Sequence, residues 1–332
     1  MNRRDFLIGT AAGAAAIAGA SLTGAAQGGA PAPAQGAGGQ AGRGGGGRGG
    51  PAQVSPAKLA RVSLMTLNFG NYRSDTNAAK TTPSSDRTLT VFDLPKMYVD
   101  MYGVHNIEFQ LGDVLPSETD PNFIKELKGR LDEQKMTMTQ VNLEIGAAQG
   151  MTADEAGRKV GLERIGKWVD IASQYGCKRL MLNQNQAALT KERRADAVAY
   201  MKAAAEMGRP KGVMISVETR GAGQPLGPDK QPADLGMKPW EFMGGIITDA
   251  NANSNVDIGN VGAMNQQELH DCIKGWMPTS SGNMHIKSSP NWDIGTAVRF
   301  TESIGYKGLY SIEVSQHPAI RIVYNTILAN LS

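Results

Sequence analysis

Four residues in the second half of the chain could share one metal ion: Glu218, Asp257, His285 and Glu313. Three offer carboxylate oxygens and one offers an imidazole nitrogen. That donor set suits a divalent ion such as Mn2+, Mg2+ or Co2+. Each closes a short strand-like run: "VMISVE", "NVD", "NMH" and "YSIE". Singly, each has an ordinary explanation. A lone histidine on a strand is more often a hydrogen-bonded core residue, and Glu218 could pair with Arg220, two places on. As a set they demand more. A buried charge is costly unless it is paired or bound to a metal, so four such groups at successive strand ends require a common partner.

The elements that would position them alternate along the chain. "RVSLMTLNFG", "HNIEFQLG", "MTMTQVNLE" and "KRLMLNQ" read as strands in the first half; "GVMISVETRG", "NVDIGN", "SGNMHIKSS" and "GLYSIEVS" follow in the second. Between and after them lie helical patterns. "NFIKELKGRLDEQ" spaces Phe123, Leu127 and Leu131 at helical intervals. "LERIGKWVDIASQYG" puts Ile165, Trp168, Val169 and Ala172 on one face, with Gly176 as a stop. Eight strand-then-helix units over about 250 residues are the expectation for a (β/α)8 TIM barrel. A doubly wound sheet would want a glycine fingerprint after its first strand, and "NFGNYRS" does not supply one. In a barrel the active site lies where strands end, and consecutive strands are neighbours, so the four side chains should converge.

In layout, residues 61–332 resemble the xylose isomerase-like TIM barrels, the sugar phosphate isomerase/epimerase superfamily. The specific part is the series "SVETRG", "NVDIGN", "MHIKSS" and "SIEVS". The resemblance implies that Glu218, Asp257, His285 and Glu313 bind one divalent metal. Mn2+ is the first choice, with Mg2+, Co2+ or Zn2+ as alternatives. It also implies that Glu218 and Glu313 are catalytic and handle protons, by abstraction next to a carbonyl through an enediolate. Two departures stand out. Many members place a histidine three residues after the aspartate, where this chain has Asn260, and many read His-x-Lys-Asp where it has His285, Ile286, Lys287 and Ser288. The family branch that cuts DNA needs several zinc ions and more histidines than the four present.

Substrate contacts are expected from Lys287, Asn260, Trp292, Asn183 and Glu108. Lys287 lies two residues past His285 and so on the same side of a strand. Trp292 could stack on a sugar ring or serve only as a rim or core residue. Asn142, Glu144, Asn183 and Asn185 sit near the ends of the third and fourth strands, within reach of hydroxyls. Glu108 either points into the site or forms a salt bridge inside the barrel. His317 is expected to cap or line the rim, His105 to lie at the opposite face, and His270 to be exposed on its helix.

The start of the chain reads differently. Arg3 and Arg4 precede Phe6, Leu7 and a run of Ala and Gly, the layout of a twin-arginine export signal over residues 1–30. An uncleaved anchor is the minor alternative, because the apolar run is short for a spanning helix. Thirteen of the 27 residues from Gly24 to Gly50 are glycine, too few apolar groups to offset ordering entropy, so residues 31–57 read as a disordered linker. The barrel is then expected over 58–332, in a periplasmic or extracytoplasmic setting, without stable membrane insertion once the signal is cleaved. Of 34 basic and 31 acidic residues, Arg3, Arg4, Arg43, Arg48 and Asp5 precede it. The remainder is balanced and shows no footprint for nucleic acid. Cys177 and Cys272 require no disulfide. The leading expectation is an exported sugar isomerase or epimerase acting on a free or oxidised sugar. A lyase working on 3-keto-glycosides with the same metal site, or a non-catalytic sugar-binding barrel, is the alternative. A homo-oligomer is compatible with all three.

Overall fold

The structure is a computed structural model, and it describes residues 54–75, 84–183, 189–218, 234–261, 265–314 and 317–332. The expected signal, the linker before residue 54, Arg220 and Asn185 lie outside the described residues. Residues Val54–Ser332 form one compact unit. Its described residues form eight strands: β1 (Val62–Met65), β2 (Asn106–Gln110), β3 (Thr137–Glu144), β4 (Arg179–Asn183), β5 (Met214–Glu218), β6 (Asn253–Asp257), β7 (Ser280–Ile286) and β8 (Leu309–Ile312). They pair in chain order, all parallel, and β8 closes onto β1 with Leu64 beside Ile312. The outer helices are α1 (Leu94–Tyr102), α2 (Pro121–Glu133), α3 (Glu155–Tyr175), α4 (Arg194–Gly208), α5 (Pro239–Asp249), α6 (Gln266–Trp276), α7 (Ile294–Ser303) and α8 (His317–Asn330). This is the (β/α)8 TIM barrel that the alternation predicts.

Two boundaries differ from the sequence reading. The first strand stops at Met65, and Thr66–Tyr72 form a 3-10 segment. Side chains there replace a longer ladder: Thr66 Oγ1 accepts the backbone N–H of Gln110 at 3.0 Å, and Asn68 Oδ1 accepts that of Val314 at 3.0 Å. Helix α3 begins at Glu155, well before the expected start, because the Asp154 side chain accepts the Gly157 N–H at 2.8 Å and caps it. Its far end is the predicted one: Gly176 takes φ +74°, which costs glycine little.

Side-chain alternation divides the barrel into two environments. On β5, Ile215 and Val217 face outward while Ser216 and Glu218 share the inner side; β6, β7 and β8 repeat this with Asn255 and Asp257, Asn283 and His285, and Ser311. Stability therefore comes from the outer layer. Strand residues such as Ile107, Phe109, Leu143, Leu180, Val217 and Ile312 are buried in one continuous core with Trp168, Met201, Ile246, Ile273 and Ile327 from the helices. Each such side chain is worth about 1.5–3 kcal/mol when buried, and the largely polar interior, with Met65 and Met181 among its amides and carboxylates, contributes little of that.

The end of the barrel opposite the strand termini is closed by an ion pair. Arg61, just before β1, makes two parallel hydrogen bonds to the Glu302 carboxylate, at 2.8 and 3.0 Å, and also donates to Gly308 O. Tyr310 donates its hydroxyl to the same carboxylate at 2.7 Å, and Ser332 also donates to it. Burial alone would raise the Glu302 pKa, but these bonds and the Arg61 charge bring it down to about 2. A carboxylate depressed in the folded state stabilises the protein above its unfolded pKa and loses that contribution as pH falls. Glu302→Gln should therefore unfold at lower temperature than the wild type at pH 7, and the gap should close as pH is lowered from about 4.5 towards 2. Thermal unfolding followed by circular dichroism across that range checks it; a gap that stays constant with pH would count against the clamp.

Candidate metal centre

At the strand termini the four singled-out residues come together. Glu218 and Asp257 are the last residues of β5 and β6, His285 is next to last in β7, and Glu313 follows β8 directly. Parallel pairing sets Asp257 beside His285 and carries β8 along β7. One donor atom from each of the four lies within 4.8 Å of the others. His285 Nδ1 is 3.0 Å from Glu218 Oε1, 3.0 Å from Glu313 Oε2 and 3.8 Å from Asp257 Oδ2. Glu218, Asp257 and His285 are essentially buried, while the Glu313 side chain keeps 15% of its surface. Three hard oxygens and one imidazole nitrogen at this spacing fit a divalent ion. Asp257 is fixed in aim: its Oδ1 accepts the backbone N–H groups of Gly259 at 2.7 Å and Asn260 at 3.1 Å.

Behind the imidazole stands Glu108. Its Oε1 is 2.6 Å from His285 Nε2, on the ring edge remote from the three carboxylates. The sequence reading groups Glu108 with the substrate contacts; the geometry places it below the histidine, fully buried, with the ring between it and the mouth. It is the salt-bridge alternative that matches its position. A carboxylate there fixes the ring's orientation and leaves Nδ1 facing Glu218, Asp257 and Glu313. Glu108 is itself held by Gln140 Nε2 at 3.0 Å and Asn283 Nδ2 at 2.9 Å, and both amides also donate to Asn255 Oδ1. Gln140, Asn255 and Asn283 are not among the residues the sequence singles out. Their signal was present: each lies two residues before Asn142, Asp257 or His285, hence on the same inner face.

The electrostatics follow from crowding four carboxylates around one imidazole and one ammonium. Burial opposes the charge on Glu108, but the His285 imidazole outweighs it and brings that carboxyl down to about 2. Burial likewise opposes a charged His285, yet Glu108 and the neighbouring carboxylates hold it well above the usual histidine range. Asp257 goes the other way: burial first, then the Glu218 charge, push it up to about 7. The outer carboxylates repel one another, and a cation among them relieves that repulsion.

The remaining residues occupy distinct places. Lys287 Nζ lies 2.7 Å from Asp257 Oδ2 and 3.0 Å from Glu313 Oε1, so it is no free rim lysine. Asn183, at the end of β4, donates to Glu144 Oε1 at 3.0 Å. Asn260 meets the centre through its backbone. Trp292 is half-buried against the core, with its indole Nε1 enclosed and lacking a hydrogen-bond partner among the described residues. Asn142 accepts from Gln140 inside the barrel. His317 opens α8. His105 lies at the opposite face, bonded to Gln134 O. His270 is half-buried rather than exposed, because its ring stacks on Phe300 at 4.0 Å between centroids. Both cysteines are buried free thiols.

Comparison with known proteins adds to this geometry. Residues 98–322 match the family described as xylose isomerase-like TIM barrel. No curated protein matches the sequence. Among solved structures, a xylose isomerase-like TIM barrel protein from Mycobacterium smegmatis in complex with magnesium is similar at a TM-score of 0.57 and 15% identity, over 83% of this chain and 99% of that one. The apo form of a 3-keto-D-glucoside 4-epimerase from E. coli aligns at 0.56 and 12% identity, over 82% and 98%. A probable 3-DHS dehydratase from Bacillus anthracis, involved in petrobactin synthesis, aligns at 0.57 and 12%, over 80% and 97%. At these identities the likeness is one of fold.

The Glu108–His285 contact yields a direct test. Glu108→Gln keeps the side chain's size but removes the charge that anchors Nε2. Divalent-metal affinity, measured by calorimetric titration with Mn2+, should fall about 10–100-fold while the protein stays folded. Unchanged affinity would mean that the imidazole is oriented without Glu108.

Proposed function

The chain belongs to the xylose isomerase-like TIM barrel family, and from that premise we propose that it is a divalent-metal-dependent sugar isomerase or epimerase. The observation that carries this reading is the buried set of Glu218, Asp257, His285 and Glu313, gathered within 4.8 Å at the strand ends. These four would hold the ion. Mn2+ or Mg2+ suits three oxygens and one nitrogen, and Co2+ or Zn2+ would also be accepted. The chemistry such an ion supplies is Lewis-acid polarisation of a substrate carbonyl.

The chain's own residues then divide the work. Glu218 comes from β5 and Glu313 follows β8, so they approach the centre from separate strands. In the proposed reaction one takes a proton from the carbon next to the carbonyl, leaving an enediolate, and the other delivers one back. Delivery to the opposite face inverts that carbon; delivery to its neighbour moves the carbonyl. Lys287 and Asn183 lie at the same end of the barrel as the centre, and Asn260 and Trp292 follow β6 and β7; in this reading they meet sugar oxygens and a ring face. A free or oxidised sugar fits the export leader read from Arg3 and Arg4 better than a sugar phosphate does.

A second reading keeps the residues and changes the outcome. Proton removal next to the carbonyl of a 3-keto-glycoside can expel the group at C1, which would make the protein a lyase. The fold likeness to a 3-keto-D-glucoside epimerase and to a dehydratase supports carrying it. A barrel that only binds sugar is disfavoured by the full ligand set. The three readings separate in deuterated water with Mn2+. Isomerase or epimerase action predicts deuterium at the carbon next to the carbonyl of a ketose, slowed about 10²–10⁴-fold in Glu218→Gln or Glu313→Gln. Release of the C1 group from a 3-keto-glycoside without ketose turnover would instead establish the lyase. Exchange with neither substrate would remove catalysis altogether.

A further inference from the structure

Beyond the substrate contact proposed for it, Lys287 is engaged by the centre itself. Its ammonium reaches back over the centre and takes two of the four would-be ligands, Asp257 Oδ2 at 2.7 Å and Glu313 Oε1 at 3.0 Å. The two contacts are not equivalent. Glu313 presents its other oxygen, Oε2, to His285 Nδ1, so it can serve a lysine and a metal at once. Asp257 has no such spare oxygen, because Oδ1 is committed to the backbone N–H groups of Gly259 and Asn260. Any cation drawing on Asp257 must use the oxygen that Lys287 already holds.

This placement is built into the neighbouring strand end. A Cβ at position 259 would overlap Cγ and Cδ of Lys287. The lysine stem lies across the backbone of Gly259, and the missing side chain lets the ammonium come down onto the carboxylates instead of extending into solvent. The Lys287 side chain keeps 21% of its surface, so it retains a route outward.

We propose that Lys287 is an internal counter-cation that competes with the divalent ion for Asp257 and so weakens and sets the affinity of the centre. This rests on the metal reading given above. A like charge a few ångströms from a bound cation opposes it, and an ammonium on a flexible stem can yield the oxygen without loss of fold. The same ammonium neutralises part of the carboxylate cluster and holds it together when no divalent ion does.

The test is calorimetric titration of the full chain with MnCl2 at fixed pH and ionic strength, with thermal unfolding in EDTA alongside. Lys287→Met keeps the stem over Gly259 and removes the charge. It should bind Mn2+ at least about tenfold tighter than the wild type and, in EDTA, melt at lower temperature, a loss that Mn2+ reverses. Gly259→Ala is the second variant. It keeps the lysine's charge but crowds the stem and so lifts the ammonium off Asp257, and it should shift affinity in the same direction. If wild type and Lys287→Met bind Mn2+ equally well, or the variant binds more weakly, the metal reading stands and the competition is refuted. Should neither bind, both fall together. Binding by the variant but not by the wild type would be the strongest form of the proposed competition.

Discussion

Charge confined in a small buried volume is the constraint from which the rest of this molecule follows. Glu108, Glu218, Asp257 and Glu313 crowd around a single imidazole, and three of the four carboxylates are essentially removed from water. Ions without partners in such a place cost several kcal/mol each. The barrel answers in layers. Glu108 is compensated from the ring and from two amides; Asp257 is compensated by two backbone N–H groups and Lys287; the outer oxygens converge where a cation can serve them all. The inner strand faces carry Gln140 and Asn283, whose amides donate to Glu108, and Asn255, which accepts from both; apolar residues there would strip Glu108 of those hydrogen bonds.

That arrangement is affordable only because stability is generated elsewhere. The packing between strands and helices is almost wholly apolar and lies outside the sheet. The Arg61–Glu302 clamp, with Tyr310 and Ser332, ties the opposite end, far along the strands from the candidate centre. A site dense in charge is thus held on elements packed from outside it, the condition for a fixed geometry.

Much of this was legible from the order of residues, for identifiable reasons. Alternation of strand and helix patterns is strong when strands are buried on their outer face and helices carry a broad apolar stripe, so all eight units were readable. Glu218, Asp257, His285 and Glu313 were readable because each is a polar residue closing an apolar run. The inner amides were harder. Asn255 and Asn283 look like ordinary strand polarity until the closure of the sheet shows that they face one another. Glu108 could be placed on the inner side but not beneath the histidine, because the register between β2 and β7 spans the barrel and has no local signature. The partnership of Lys287 with Asp257 depends on Gly259, a residue whose importance lies in what it lacks. His270 was expected in solvent because its partner, Phe300, belongs to a different helix.

Everything at the strand ends turns on whether these four side chains share one cation. Anomalous X-ray diffraction from crystals grown with Mn2+ tests it most directly. A shared ion gives a single strong peak bonded to Glu218, Asp257, His285 Nδ1 and Glu313, with the imidazole Nε2 still on Glu108. The absence of a peak at that position, or a peak whose ligands exclude two or more of the four, would contradict it.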